Sequence, residues 1–134
     1  MPALKKAKIL VAVNEKNARE AVAEIFSDAG YSVLSSRSGS ETIELLTRGT
    51  FDLIFCDIDM PRTSGPEMVR MARALNQKAK IIVFSSSGGA AKRGQLKKEG
   101  AYDLLDKPLR RTTLLKVARE ALKKRPSRKK QEVS

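Results

Sequence analysis

In FDLIFCDIDMP, residues 51–61, an apolar run passes directly into Asp57, Asp59 and Pro61. A carboxylate at the end of a buried run can shape a turn, act as a nucleophile or hold a metal ion. Other apolar runs also end in capable side chains. AKIIVFS (79–85) ends in Ser85, with Ser86 and Ser87 behind it, and YDLLD (102–106) leads through Asp106 into Lys107 and Pro108. KILVAV (8–13) is followed by Asn14 and Glu15. The chain has no histidine, which removes Ser–His and Cys–His nucleophile pairs and histidine-based zinc sites.

The elements that carry these residues follow from periodicity. Five short apolar runs, the four above and YSVLSS (31–36), are expected as strands. Three of them are nearly continuous Val, Ile, Leu and Phe, the pattern of parallel strands covered on both faces. Between them the apolar spacing becomes helical. Ala18, Val22, Ile25, Phe26 and Ala29 share one face and Gly30 ends the run. Ser38 and Glu41 have capping-box spacing ahead of Ile43, Leu45 and Leu46. Pro66 suits the first turn of a third helix with Met68, Met71, Ala72 and Leu75 inward, residues 90–99 form a weaker fourth helix around Gly94, and a fifth runs from Thr112 or Thr113 through Leu115, Ala118 and Leu122.

Strand and helix alternating five times predicts a doubly wound α/β domain on a parallel sheet. Right-handed crossovers place every strand's carboxyl end on one edge, where ligands bind. Asp57, Ser85 and Lys107 are therefore expected in one crevice.

With DIDMP and Gly65, IIVFSS (81–86), GAYDLLDKP (100–108) and GYSV (30–33), the chain resembles the receiver domains of two-component response regulators over roughly residues 8–122. The resemblance implies a flavodoxin-like sheet of order 2-1-3-4-5 and phosphoryl transfer from a histidine kinase or phosphotransfer protein to Asp57. It implies Lys107 as the cation on a phosphoryl oxygen, Ser85 as a hydroxyl donor, and Mg2+ held by Asp57, the main-chain carbonyl of Asp59 and waters. The family's paired acids at the end of the first strand fall on Val13 and Asn14. Val13 cannot bind metal, the Asn14 amide can do so without charge, and Glu15 is a third candidate ligand. Leu104 replaces the usual aromatic residue three positions before the lysine, and Ser64 replaces an acid before Gly65. These departures imply an atypical acidic pocket with weakened Mg2+ binding.

Net charge is +12 over 134 residues, and the last twelve hold +5 of it through Lys123, Lys124, Arg125, Arg128, Lys129 and Lys130 against Glu132. The expected organisation is a receiver unit over 1–122 and a basic tail over 123–134. The simplest reading of the tail is a solvated, frayed helix end, and with few aromatics to stack on bases a nucleic-acid role has no second signal. No run reaches membrane-span length, the N-terminus lacks a signal-peptide apolar region, and the single cysteine, Cys56, fits a reducing cytoplasm. The expected function is a stand-alone signalling receiver rather than an enzyme. A second reading keeps the fold without the switch: a phosphorylation-independent module binding an acidic protein on the face of the fourth helix, fifth strand and fifth helix, near Lys92, Arg93, Lys97, Lys98, Arg110, Arg111 and Lys116. A dehalogenase-type phosphatase reading of DIDMP fails on the late strand and on Met60-Pro61, and a nucleotide site lacks a glycine-rich loop after the first strand.

Overall fold

The apolar runs form strands and the amphipathic runs form helices in strict alternation. They are β1 (Lys8–Ala12), α1 (Lys16–Asp28), β2 (Ser32–Ser36), α2 (Gly39–Arg48), β3 (Leu53–Asp57), α3 (Gly65–Leu75), β4 (Lys80–Ser85), α4 (Gly89–Glu99), β5 (Asp103–Asp106) and α5 (Arg111–Lys123). The computed structural model describes residues 6–85 and 89–123, without the side chains of 89–92. Ser86, Ser87, the Lys92 side chain and the basic segment from Lys124 onward lie outside the described residues. All strands pair in parallel in the order β2-β1-β3-β4-β5. This is the flavodoxin-like order expected.

Strand alternation divides the core into two layers. Leu10, Ala12, Ile54, Cys56, Ile81 and Val83 pack with α2, α3 and α4 through Leu46, Met68, Val69, Ala72 and Leu96. Ile9, Val11, Leu53, Phe55, Ile82 and Phe84 pack with α1 and α5 through Val22, Phe26, Leu114, Ala118 and Ala121. Central β3 is buried at every position, whereas edge strand β2 buries only Ser36 and exposes Leu34. In the second layer Phe26 meets Phe55 edge-on at 5.1 Å, and Phe55 meets Phe84 at 5.7 Å. Each fully buried phenyl contributes about 1.5–3 kcal/mol of apolar burial, and the row ends beneath Asp57 and Lys107.

The helix starts are set by local polar chemistry. Ser38 Oγ accepts the Glu41 N–H at 3.1 Å, and the Glu41 carboxylate accepts the Arg37 N–H at 2.8 Å, one residue upstream of the expected capping-box partner. Ser64 Oγ caps α3 by accepting the Glu67 N–H at 3.2 Å, with Pro66 in the first turn. Gly30 adopts φ +101°, which explains why α1 stops there.

The buried arc of α3 differs from the expected stripe. Met68, Val69 and Ala72 face the core, while Met71 and Leu75 are 37% and 39% exposed. At about 100° per residue, Val69 rotates the centre of the arc away from Met71 and leaves Leu75 at its margin. A buried clamp at the far edge of the sheet was also not expected. Asn76 accepts the Phe51 N–H at 2.6 Å and donates to the carbonyls of Leu46 and Gly49, both at 3.2 Å.

Candidate functional site

Asp57 closes β3 with 5% of its surface exposed. The strand continues past the apolar core, so its last side chain emerges among the loops of the carboxyl edge. Asp57 Oδ1 accepts the Asp59 N–H at 2.9 Å, and Oδ2 lies 3.6 Å from Lys107 Nζ. The acid and the lysine predicted from separate strand ends therefore meet as an ion pair.

Lys107 is positioned by two contacts. Its N–H donates to the Ser85 carbonyl at 2.8 Å, and its ammonium sits 5.5 Å from the Phe84 ring centroid. Asp57 is in register with Phe84, so Ser85 lies one step further along the neighbouring strand. Ser85 is 2% exposed. The three predicted residues thus share one corner of the sheet edge, on β3, β4 and the residue after β5.

Asn14 and Glu15 are placed differently from the two metal-ligand candidates of the sequence. The Asn14 amide donates to the Arg37 carbonyl at 3.0 Å, tying the loop after β1 to the loop after β2. The Glu15 carboxylate caps α1, accepting the N–H of Ala18 at 2.8 Å and of Asn17 at 3.1 Å. Those two bonds, Ala18 first, hold its carboxyl below the ordinary carboxylate range against a small desolvation, with Arg19 and Lys107 adding to the effect. Asp59 is exposed and contributes its backbone N–H to the site. Val13 is fully buried in the apolar layer.

Arg19, not singled out in the sequence, also shapes the pocket. Its Nη1 donates to the carbonyls of Val13 and Asn14, each at 3.0 Å, and so braces the loop where the paired acids would stand. The only signal was an arginine one turn into the first helix, directly after a strand end. Leu104, in the place of the family's aromatic residue, is 3% exposed and packs in the layer of Val83 and Leu96. Burial, and then the charge of Asp57, push the Cys56 thiol up to about 12, so it is an inert core residue.

Receiver domains typically hold Mg2+ in an acidic pocket. The residues present here do not supply the acidic donor set of such a pocket. Among the described residues no three of the types His, Cys, Asp and Glu gather as ligands. Asp57 already meets Lys107, Glu15 is committed to its helix, and Val13 offers no donor atom. On the α4–β5–α5 face, Arg93 is occupied by Asp103 at 3.0 Å, while Lys97, Lys98, Arg110, Arg111 and Lys116 are exposed. Among the described residues no helix is long and apolar enough to cross a membrane.

Comparison with known proteins agrees with this fold. The family model described as the response regulator receiver domain matches residues 9–119. The transcriptional regulatory protein DltR of Streptococcus agalactiae is 30% identical over 120 residues, covering 90% of this chain and 53% of DltR. The transcriptional regulatory protein CusR of Escherichia coli is 31% identical over 117 residues, covering 87% of this chain and 52% of CusR. The chain thus spans about half the length of the curated relatives it matches. Among solved structures, the chemotaxis response regulator CheY4 of Vibrio cholerae superposes with TM-score 0.82 at 29% identity, over 88% of this chain and 100% of that one. A CheY-like receiver domain from Methanospirillum hungatei superposes with TM-score 0.86 at 22% identity, over 90% and 96%, and supports the fold. Receiver domains are signalling modules of two-component systems, and this chain belongs to the response regulator receiver domain family.

Proposed function

We propose that this receiver accepts a phosphoryl group on Asp57 from a phosphohistidine of a kinase or phosphotransfer protein. An Asp57 carboxylate oxygen attacks phosphorus, the donor's N–P bond breaks as the acyl phosphate O–P bond forms, and the released imidazole nitrogen takes up a proton. Two anions must approach for this to happen, so a fixed cation beside the acceptor lowers the barrier. The observation that carries the reading is the Lys107 ammonium 3.6 Å from a carboxylate that is itself 5% exposed. After transfer Lys107 follows the charge onto a phosphoryl oxygen, and the Ser85 hydroxyl donates to another. The receiver unit is residues 1–122, with 123–134 as a basic extension.

The test is the intact mass after incubation with acetyl phosphate, with and without Mg2+. A gain of one phosphoryl mass in the wild type, absent in Asp57→Asn, supports the assignment. No gain, or an equal gain in Asp57→Asn, overturns it.

A second reading is favoured by the β1 end. Val13 is fully buried, Asn14 faces Arg37, and both Asp57 oxygens are engaged, so the pocket is satisfied as it stands. Under that reading the domain binds an acidic protein through Lys97, Lys98, Arg110, Arg111 and Lys116 without phosphorylation. Partner affinity unchanged in Asp57→Asn, together with no mass gain, selects it.

A further inference from the structure

The sheet edge opposite Asp57 carries a cationic surface that the phosphoryl chemistry does not use. An open groove of about 480 Å3 lies there, lined among others by Lys6, Tyr31, Arg119, Leu122 and Lys123, and no acid among the described residues lines it. Three cations from two distant parts of the chain thus share one concavity. The carboxyl ends of α1 and α5 approach the same edge, but their dipoles amount to about half a negative charge each and leave the groove clearly positive.

The cations extend beyond the groove. Lys116, Arg119 and Lys123 stand at i, i+3 and i+7 of α5, so they form one stripe about 10 Å long. All three are exposed and none forms an ion pair among the described residues. In sequence the stripe runs directly into Lys124, Arg125, Arg128, Lys129 and Lys130.

We infer that this surface binds the phosphodiester backbone of a duplex nucleic acid, on the edge away from Asp57. A lipid surface needs an apolar face to insert, and α5 has none outward: Leu114, Ala118 and Ala121 are buried, and Leu115, Val117 and Leu122 pack on the core. An acidic protein answers the same charge, and polyglutamate represents it in the test below. Nucleic-acid interfaces are strongly positive, as this surface is with Lys6, Lys116, Arg119 and Lys123. Single strands require aromatic platforms, and among the described residues Tyr31 is the only ring lining the groove. The inference does not depend on whether Asp57 accepts phosphate.

The test is fluorescence anisotropy of a labelled random-sequence DNA duplex with the full chain, from about 50 to 200 mM salt, with an RNA duplex and polyglutamate as parallel probes. The variant neutralises the stripe as Lys116→Gln, Arg119→Gln and Lys123→Gln, and Lys97→Gln with Lys98→Gln on α4 is the control. Expected are duplex affinity at least tenfold lower in the stripe variant at about 100 mM salt and a salt slope shallower by about two to three, from about 0.9 per lost phosphate contact. The α4 control stays within about twofold of wild type on the same salt series. Should the stripe variant unfold, Lys6→Gln with Arg119→Gln replaces it. Absence of duplex binding, equal binding by the stripe variant, an equal loss in the α4 control, or polyglutamate binding as tight as the duplex overturns the inference. The RNA arm separates a DNA backbone from an RNA backbone.

Discussion

The Lys107 N–H donates to the Ser85 carbonyl at 2.8 Å, so the cation beside Asp57 hangs from the end of β4. Ser85 is thus bonded to the main chain of the residue that supplies the Asp57 counter-ion. The pair is unequal in exposure: the Asp57 side chain is 5% exposed and that of Lys107 33%. Removing the lysine strands a buried carboxylate, while removing the carboxylate leaves a lysine that reaches water. Lys107→Ala is expected to cost about 1–3 kcal/mol, the partial exposure keeping it below the range for fully buried pairs. Asp57→Asn costs less, and the double variant recovers most of the Lys107→Ala loss. Urea denaturation of the three variants checks this, and equal losses in both single variants contradict it.

Val13 occupies a place where the family carries an acid, inside an apolar layer that leaves it no exposed surface. Val13→Asp puts a second carboxylate near Asp57, where Lys107 is already engaged and the Arg19 guanidinium is bonded to the Val13 and Asn14 carbonyls. In EDTA the variant is expected to lose about 3 kcal/mol or more. Millimolar Mg2+ raises its melting temperature and leaves the wild type unchanged. A wild-type shift as large as the variant's shows that the pocket holds the ion without a second acid.

The residues legible in the sequence are those whose position topology dictates. Asp57, Ser85 and Lys107 each end an apolar run, and a parallel sheet must bring such ends to one edge. The strand order came with the family resemblance, since alternation alone allows other orders. Arg19 and Asn76 were not legible because both bond backbone groups, which every sequence presents alike. Asn14 and Glu15 were legible as polar residues at the right edge, but not in their use. Whether a carboxylate faces a crevice or caps its own helix depends on the loop's dihedral angles. Met71 and Leu75 were misplaced because apolar spacing marks a face without fixing the centre of the buried arc.

Glu15 makes stability depend on pH with a definite sign. Its carboxyl sits below the ordinary 4.5 when folded, because the Ala18 and Asn17 N–H groups bond its charged form. The unfolded chain therefore takes up a proton first as pH falls. The contribution is complete above 4.5 and is lost as pH drops through the lowered folded value. The stability difference between wild type and Glu15→Ala is therefore constant near neutrality and closes on acidification. Chemical denaturation across that range measures it, and a gap that widens in acid contradicts the capping role.

Asn76, at the end of α3, bonds α2, the turn after it and the segment entering β3 through its side chain, and it is 3% exposed. Asn76→Ala leaves the Phe51 N–H and two carbonyls without their partner where water does not easily replace it. Each buried unsatisfied group costs about 1–3 kcal/mol, so a total near 3 kcal/mol is expected after local relaxation. Asn76→Asp keeps an acceptor for Phe51 but loses the donors to Leu46 and Gly49 and buries a charge, so it is no less damaging. Hydrogen exchange separates a lost bond from a general loss of packing. The Phe51 amide is expected to lose protection in Asn76→Ala by more than the global destabilisation accounts for, while amides of central β3 follow the global change. Uniform loss across both sets makes Asn76 a space-filling residue. A selective loss at Phe51 makes it the pin that holds the segment entering β3, the strand that delivers Asp57 to the opposite edge.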